Sequence, residues 1–209
     1  MTAITVNFNS VIDISDEQFF QLCVKNSDIK FERKANGEII VMPPRNVCFI
    51  VLQSKTVDAI ASCGGETGRR NSDLVIQLGI WNRQTKLGQV FDSSTGYTLP
   101  NKANRSPDVS WIKQERWDSL TPQQREKFIP LAPDFALELM SPSDSLVNVR
   151  AKMREYRSNG VELGWLINPE AKEVEIYRSK QDVKLLNSPR SLSGEDILPG
   201  FILDLTDIF

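Results

Sequence analysis

The apolar positions of the chain change period several times, and each change marks a predicted element. Ile14, Phe19, Phe20, Leu22 and Val24 recur among polar residues behind Ser15 and Asp16, the pattern of a short capped helix from Asp13 to Val24. A hairpin follows: Ile29 to Lys34 and Glu38 to Met42 flank Asn36-Gly37, a pair that tolerates the positive φ angles of a tight turn, and Pro43-Pro44 stops the second strand. Beyond the Gly64-Gly65 break, Leu74, Leu78 and Trp81 recur at spacings of four and three residues, so Glu66 to Gln84 reads as a helix. Gly88 to Leu99 reads as two strands around Ser93-Ser94-Thr95-Gly96, and Pro107 to Ile112 as a further short strand.

Gln114 to Lys127 is polar, with Thr121-Pro122 set as an N-cap ahead of proline at the first helical position, and it reads as a peripheral excursion. Phe135 to Met140 alternates, placing Phe135, Leu137 and Leu139 on one face and Ala136, Glu138 and Met140 on the other. A helix then starts near Asp144 and closes at Asn159-Gly160. Val161 to Ile167 is an almost wholly apolar strand, Asn168-Pro169 turns the chain into Glu173 to Tyr177, and Asp182 to Leu186 adds another strand. Phe201 to Phe209 is apolar enough to dock. No internal repeat, low-complexity tract or long linker interrupts the series. The pattern predicts one domain over residues 1–209, mixed α/β, with a central β-sheet flanked by helices and an N-terminal hairpin.

Composition narrows the chemistry. With 209 residues, 40% of them hydrophobic, the chain can bury a substantial core. Lys and Arg total 25 against 27 Asp and Glu, a net charge of −2, so any nucleic-acid contact must come from a local patch. Histidine is absent, which excludes Ser-His-Asp and Cys-His catalysis, HExxH zinc hydrolysis and every His-ligated metal. Carboxylate-bound metal, paired carboxylates without metal, and a Ser/Lys arrangement remain open. Cys23, Cys48 and Cys63 are odd in number without CxxC spacing, which suits reduced thiols. With no leader pattern in Met1 to Asp13 and no run long enough to span a bilayer, the expectation is a cytoplasmic protein with no membrane partner.

Glu138 sits mid-strand among apolar neighbours, where a carboxylate is costly unless paired, protonated or bound to a cation. The alternative is a strand whose second face is solvated or salt-bridged. Asp108 opens a strand after Pro107, and alone it reads as a partner of local backbone N–H groups. Leu146, Val149, Met153 and Tyr156 form a core stripe on the last long helix. At about 100° per residue Lys152 lies about 60° from Val149, beside that stripe. Alone it reads as a side chain whose stem covers the helix flank. Together the three meet a known requirement: phosphodiester hydrolysis by a hard cation needs at least two carboxylates, and a nearby lysine can orient water or neutralise developing charge.

Several segments resemble the bacterial putative restriction-endonuclease family, of the PD-(D/E)xK nuclease superfamily. They are Ser106-Pro107-Asp108-Val109; Pro133-Asp134-Phe135-Ala136-Leu137-Glu138-Leu139-Met140-Ser141-Pro142-Ser143-Asp144; Lys152-Met153-Arg154-Glu155-Tyr156 with Asn159-Gly160-Val161; and Gly164-Trp165-Leu166-Ile167-Asn168-Pro169. The resemblance covers nearly the whole chain. It implies a restriction-endonuclease-like fold and a Mg2+- or Mn2+-dependent endonuclease acting on nucleic acid, taken as DNA. Asp108 and Glu138 become the metal ligands, and Lys152 the catalytic lysine, moved from the strand onto the following helix. The superfamily pattern would put that lysine where Met140 stands.

Glu32 and Glu66 match acidic positions of the family, although a surface strand residue and a helix-dipole partner are their simpler readings. Relatives pass from Met42-Pro43-Pro44 almost directly to Gly64-Gly65, so Arg45 to Cys63 reads as an insertion. Its apolar run Val47 to Leu52 would lie on the surface or at a subunit contact, which puts a homodimer among the expected partners. Two rival functions stand beside the nuclease. One is a nucleic-acid-binding or interaction module with the same fold and no turnover. The other is a metal-free hydrolase using Asp108 and Glu138, with Trp111, Trp117 and Trp165 as sugar-binding aromatics.

Overall fold

The computed structural model describes residues 4–6, 14–27, 29–42 and 65–209. Its amino-terminal part holds β1 (Ile4–Val6), α1 (Asp16–Lys25), β2 (Lys30–Arg33) and β3 (Ile39–Met42). α1 starts at a reciprocal cap: Gln18 N–H donates to Ser15 Oγ at 3.2 Å, and Ser15 N–H donates to Gln18 Oε1 at 2.9 Å. β2 and β3 pair antiparallel around Gly37, whose φ of 84° suits glycine. Next come α2 (Gly65–Thr85), β4 (Gly88–Asp92), β5 (Tyr97–Thr98), β6 (Asn104–Arg105) and β7 (Val109–Lys113), then two short helices, α3 (Gln114–Asp118) and α4 (Pro122–Arg125). The chain continues through β8 (Phe135–Leu139), α5 (Leu146–Ser158), β9 (Leu163–Asn168), β10 (Glu173–Arg178), β11 (Lys184–Asn187), β12 (Ser191–Ser193) and β13 (Ile202–Asp204).

The central sheet has six strands in the order β11-β10-β9-β8-β7-β4. Only β8 and β9 run parallel, and α5 makes the crossover between them. A second sheet, β1-β3-β2-β6-β5, contains the N-terminal hairpin. Gly88 to Leu99 holds two strands around Ser93 to Gly96, as its pattern predicts. Its two strands join different sheets, so Ser93 to Gly96 carries the chain from one sheet to the other. β5 and β6 are only two residues each, too short for an alternation to show.

β8 is buried along its whole length. Phe135, Leu137 and Leu139 pack with Trp111, Trp165, the α2 residues Leu74 and Leu78, and the C-terminal Phe201, Leu205 and Ile208, so the C-terminal segment docks on the core. Ala136 looks to the other side, into a cluster with Met153 and Tyr156 of α5 and with Leu166 and Tyr177. The second face of β8 is therefore covered by α5, and a carboxylate on it is withdrawn from water. Asp134 locks the start of this strand: it is fully buried, accepts Lys113 N–H at 2.8 Å and lies 2.8 Å from Arg116 Nη1. α5 begins at Leu146, after a turn in which Asp144 accepts the Ser141 N–H and Oγ–H.

Arg45 to Cys63, with Cys48 and Cys63, lies outside the described residues. The Cys23 thiol is free, and burial pushes its pKa up to about 11. Among the described residues no helix is long and apolar enough to cross a membrane.

Candidate active site

The antiparallel register of β7 and β8 pairs Trp111 with Phe135, Ser110 with Ala136 and Val109 with Leu137. Asp108 immediately precedes β7, and its charge bears on Glu138 and on Lys152. Asp108 Oδ2 accepts the Leu139 N–H at 2.9 Å. The partner is a backbone N–H of β8, 31 residues on, and not the local one expected of an isolated aspartate, and it holds this carboxyl next to the residue that follows Glu138. α5 covers the same face. Its Lys152 Nζ lies 2.9 Å from Glu138 Oε1, 2.8 Å from Glu32 Oε1 and 3.3 Å from the Ser106 carbonyl oxygen. An ammonium has three N–H donors, and these acceptors match them. One turn along α5, the Tyr156 hydroxyl donates to Glu138 Oε1 at 2.9 Å.

Glu32 enters from the second sheet. Only 2% exposed, it takes Arg105 Nη1 on Oε2 at 3.1 Å and the Ser106 N–H on Oε1 at 3.4 Å. Arg105 continues to Glu155 of α5, and Lys30 Nζ donates to the Ser106 carbonyl at 3.1 Å. A cavity of about 260 Å³ adjoins the cluster at Lys30, Arg105 and Ser106.

Asp108, Glu138 and Glu32 lie about the Lys152 ammonium, and burial together with the neighbouring charges sets the proton positions. Burial raises the Glu138 pKa most; Lys152 opposes that, but the neighbouring Asp108 and Glu32 add to it, and the carboxyl is held at about 7. For Glu32 burial also works upward, yet Lys152, Arg105 and Lys30 together outweigh it and bring the pKa down to about 2. Lys152 is pushed down by burial and more strongly up by Glu138, Glu32 and Asp108, so it stays charged. Burial and the adjacent Glu138 raise the Tyr156 hydroxyl well above its ordinary range, which keeps it a donor.

Of the residues singled out from sequence, Asp108, Glu138, Lys152 and Glu32 come together. Two of their simpler readings are overturned. Glu32 is a buried residue of β2, because β6 and α5 close over its face, and the Lys152 ammonium turns inward to the carboxylates. Glu66 stays apart: it lies near the start of α2, with Arg69 Nη2 at 2.6 Å and Arg70 Nε at 3.5 Å, and among the described residues it takes no part in the cluster. Met140 packs against the second core cluster. Trp111 and Trp165 belong to the first core cluster, on the far side of β8 from Glu138, so they cannot line a sugar site there.

Tyr156, Arg105 and Lys30 were not recognised from sequence. Tyr156 had a signal, since four residues after Lys152 it shares a helix face with it. Arg105, in a two-residue strand, had none.

Among the described residues no group of three or more Asp, Glu, Cys or His side chains is placed to hold a metal ion. The donor set is instead two carboxylates, Asp108 and Glu138. Hard oxygen donors in that number suit Mg2+ or Mn2+, which keep several of their own waters. Burial is the main cause of the raised Glu138 pKa, with Asp108 and Glu32 adding to it, so a divalent cation brought to the two carboxylates would offset part of the cost of ionising Glu138.

No curated protein matches the chain. Among solved structures, a putative nuclease belonging to DUF820 from Anabaena variabilis ATCC 29413 shares the fold with a TM-score of 0.64, at 20% identity, over 86% of this chain and 89% of that one. The model of the Uma2 family, described as putative restriction endonuclease, matches residues 55–206. That stretch holds α2, the whole central sheet and Asp108, Glu138 and Lys152. With the match spanning well over half of its length, the chain belongs to the Uma2 family.

Proposed function

We propose that the protein is a nuclease that hydrolyses phosphodiester bonds of nucleic acid, DNA in the first instance, with Mg2+ or Mn2+ held by Asp108 and Glu138. The observation that carries this reading is the meeting of those two carboxylates beside the ammonium of a lysine from α5. Membership of a family described as putative restriction endonuclease, and the fold shared with a protein described as a putative nuclease, support it. A divalent cation at the two acids supplies Lewis acidity toward the phosphoryl oxygens and acidifies water. The chain's own groups do the rest. Asp108 is oriented by the Leu139 N–H, and Glu138 by the Tyr156 hydroxyl. Lys152, in exchanging its bond to Glu138 for one to a phosphate oxygen, brings a positive charge to the place where negative charge develops. Lysine at the position of Met140 is not needed, because α5 delivers an ammonium to the same carboxylate.

The test is cleavage of supercoiled plasmid and end-labelled oligonucleotides by purified protein in Mg2+, Mn2+, Ca2+ or chelator. Nicking or degradation in Mg2+ or Mn2+, its loss in Asp108→Asn and in Glu138→Gln, and binding without turnover in Ca2+ are expected. Absence of cation-dependent cleavage on every substrate, or cleavage that survives in both variants, would refute the reading.

A further inference from the structure

Resting on that reading, we propose that Glu32 is the positioning residue of Lys152, so that the N-terminal hairpin completes the reaction centre. A lysine side chain has a flexible four-carbon stem, and its place is set by whatever accepts its protons. Glu138 would be drawn on as a ligand of the cation, and the Ser106 carbonyl at 3.3 Å is a neutral, longer contact. Glu32, at 2.8 Å, is the remaining charged acceptor. Both of its oxygens are taken, Oε1 by Lys152 and the Ser106 N–H and Oε2 by Arg105, which suits an anchor and not a further cation ligand.

The anchor is itself held. Arg105 binds Glu32 on one side and Glu155 on the other, and Glu155 lies on α5 three residues beyond Lys152. The path from α5 through Glu155, Arg105 and Glu32 to Lys152 returns to α5, a closed ring of charged groups that ties this helix to the second sheet. Glu32 precedes residues 55–206, the stretch matched by the family model, and its match to an acidic position of the family says nothing of a role toward Lys152.

The test reads the ammonium directly. In cation-free protein, 1H–15N correlation spectra of the lysine ammonium groups should contain one slowly exchanging signal, identified as Lys152 by its loss in Lys152→Arg. Glu32→Gln should remove or shift that signal while circular dichroism stays that of the folded protein. Glu32→Asp, which keeps the charge for Arg105 but withdraws the carboxylate by one methylene, should shift it as well and serves if the glutamine variant does not fold. In cleavage assays both variants should lose at least about tenfold in kcat with KM changed less than about twofold, the signature of an interaction that matters in the transition state. Adding Glu32→Gln to Lys152→Arg should cost little beyond Lys152→Arg alone, since Glu32 acts through Lys152. An unchanged Lys152 signal in the folded Glu32 variants, or equal losses in the Lys152 and Lys152→Arg backgrounds, overturns the proposal. A wild type that cleaves nothing refutes the nuclease reading, and the ammonium signal still decides the role of Glu32.

Discussion

Replacing Glu138 by glutamine removes a charge from the cluster while keeping the shape of the side chain and an oxygen to accept from Lys152 and Tyr156. The folded state holds this carboxyl at about 7 against an ordinary value of 4.5. Because the folded pKa is the higher one, the folded protein keeps a proton that the unfolded chain gives up. The associated stability is complete below about pH 4.5 and is lost as pH rises through about 7. At 1.36 kcal/mol per pH unit, the gap amounts to about 3 kcal/mol at alkaline pH. Glutamine imitates the protonated form and escapes that loss. Glu138→Gln is therefore expected to match the wild type near pH 5 and to exceed it by up to about 3 kcal/mol near pH 8.5. Urea unfolding in chelator at both pH values, with unchanged m, measures this. A cation at 100 times its Kd would stabilise the wild type by about 2.7 kcal/mol and leave the variant unmoved. A variant less stable than the wild type at the higher pH, or a difference that does not depend on pH, would refute the reasoning. The first result would mean that the ionised Glu138–Lys152 pair is a net gain to the fold, and the second that Glu138 titrates alike in the folded and unfolded chain.

Lys152→Met leaves Glu32 and Glu138 buried without their shared counter-ion, and unfolding midpoints should show a loss of about 3–5 kcal/mol, partly recovered when Glu138→Gln is added. Tyr156→Phe removes a buried donor to Glu138, so a loss of about 1–3 kcal/mol by urea titration is expected, with the core otherwise intact. Gly88→Ala would set a Cβ 2.1 Å from the Ile112 carbonyl oxygen and 2.5 Å from the Trp111 ring, forcing β4 away from β7. A cost of about 1–3 kcal/mol, with faster amide exchange in β4 than in β9, should follow.

What was legible in the sequence was local. The alternation of Phe135 to Met140 put Glu138 on a different face from Phe135, Leu137 and Leu139, and the structure keeps that division. The stripe Leu146, Val149, Met153 and Tyr156 placed Lys152 at the edge of a packed helix face, where the ammonium is found. Asn36-Gly37 and Ser15 set a turn and a cap whose partners are a few residues away. Periodicity of this kind reports which side of an element is covered, because side-chain direction follows from the backbone repeat alone.

It does not report what does the covering. Glu32 looks like a surface strand residue until the two-residue β6 brings Arg105 beside it, and no pattern can declare so short a strand. The same blindness left unseen that the two strands of Gly88 to Leu99 serve different sheets, and gave Glu66 the same standing as Glu32. The Lys152–Glu32 ion pair joins residues distant in the chain, and it forms because packing of the sheets removes both charges from water until each becomes the other's most favourable partner. That choice of partner is a property of the assembled core, and only the tertiary structure decided it.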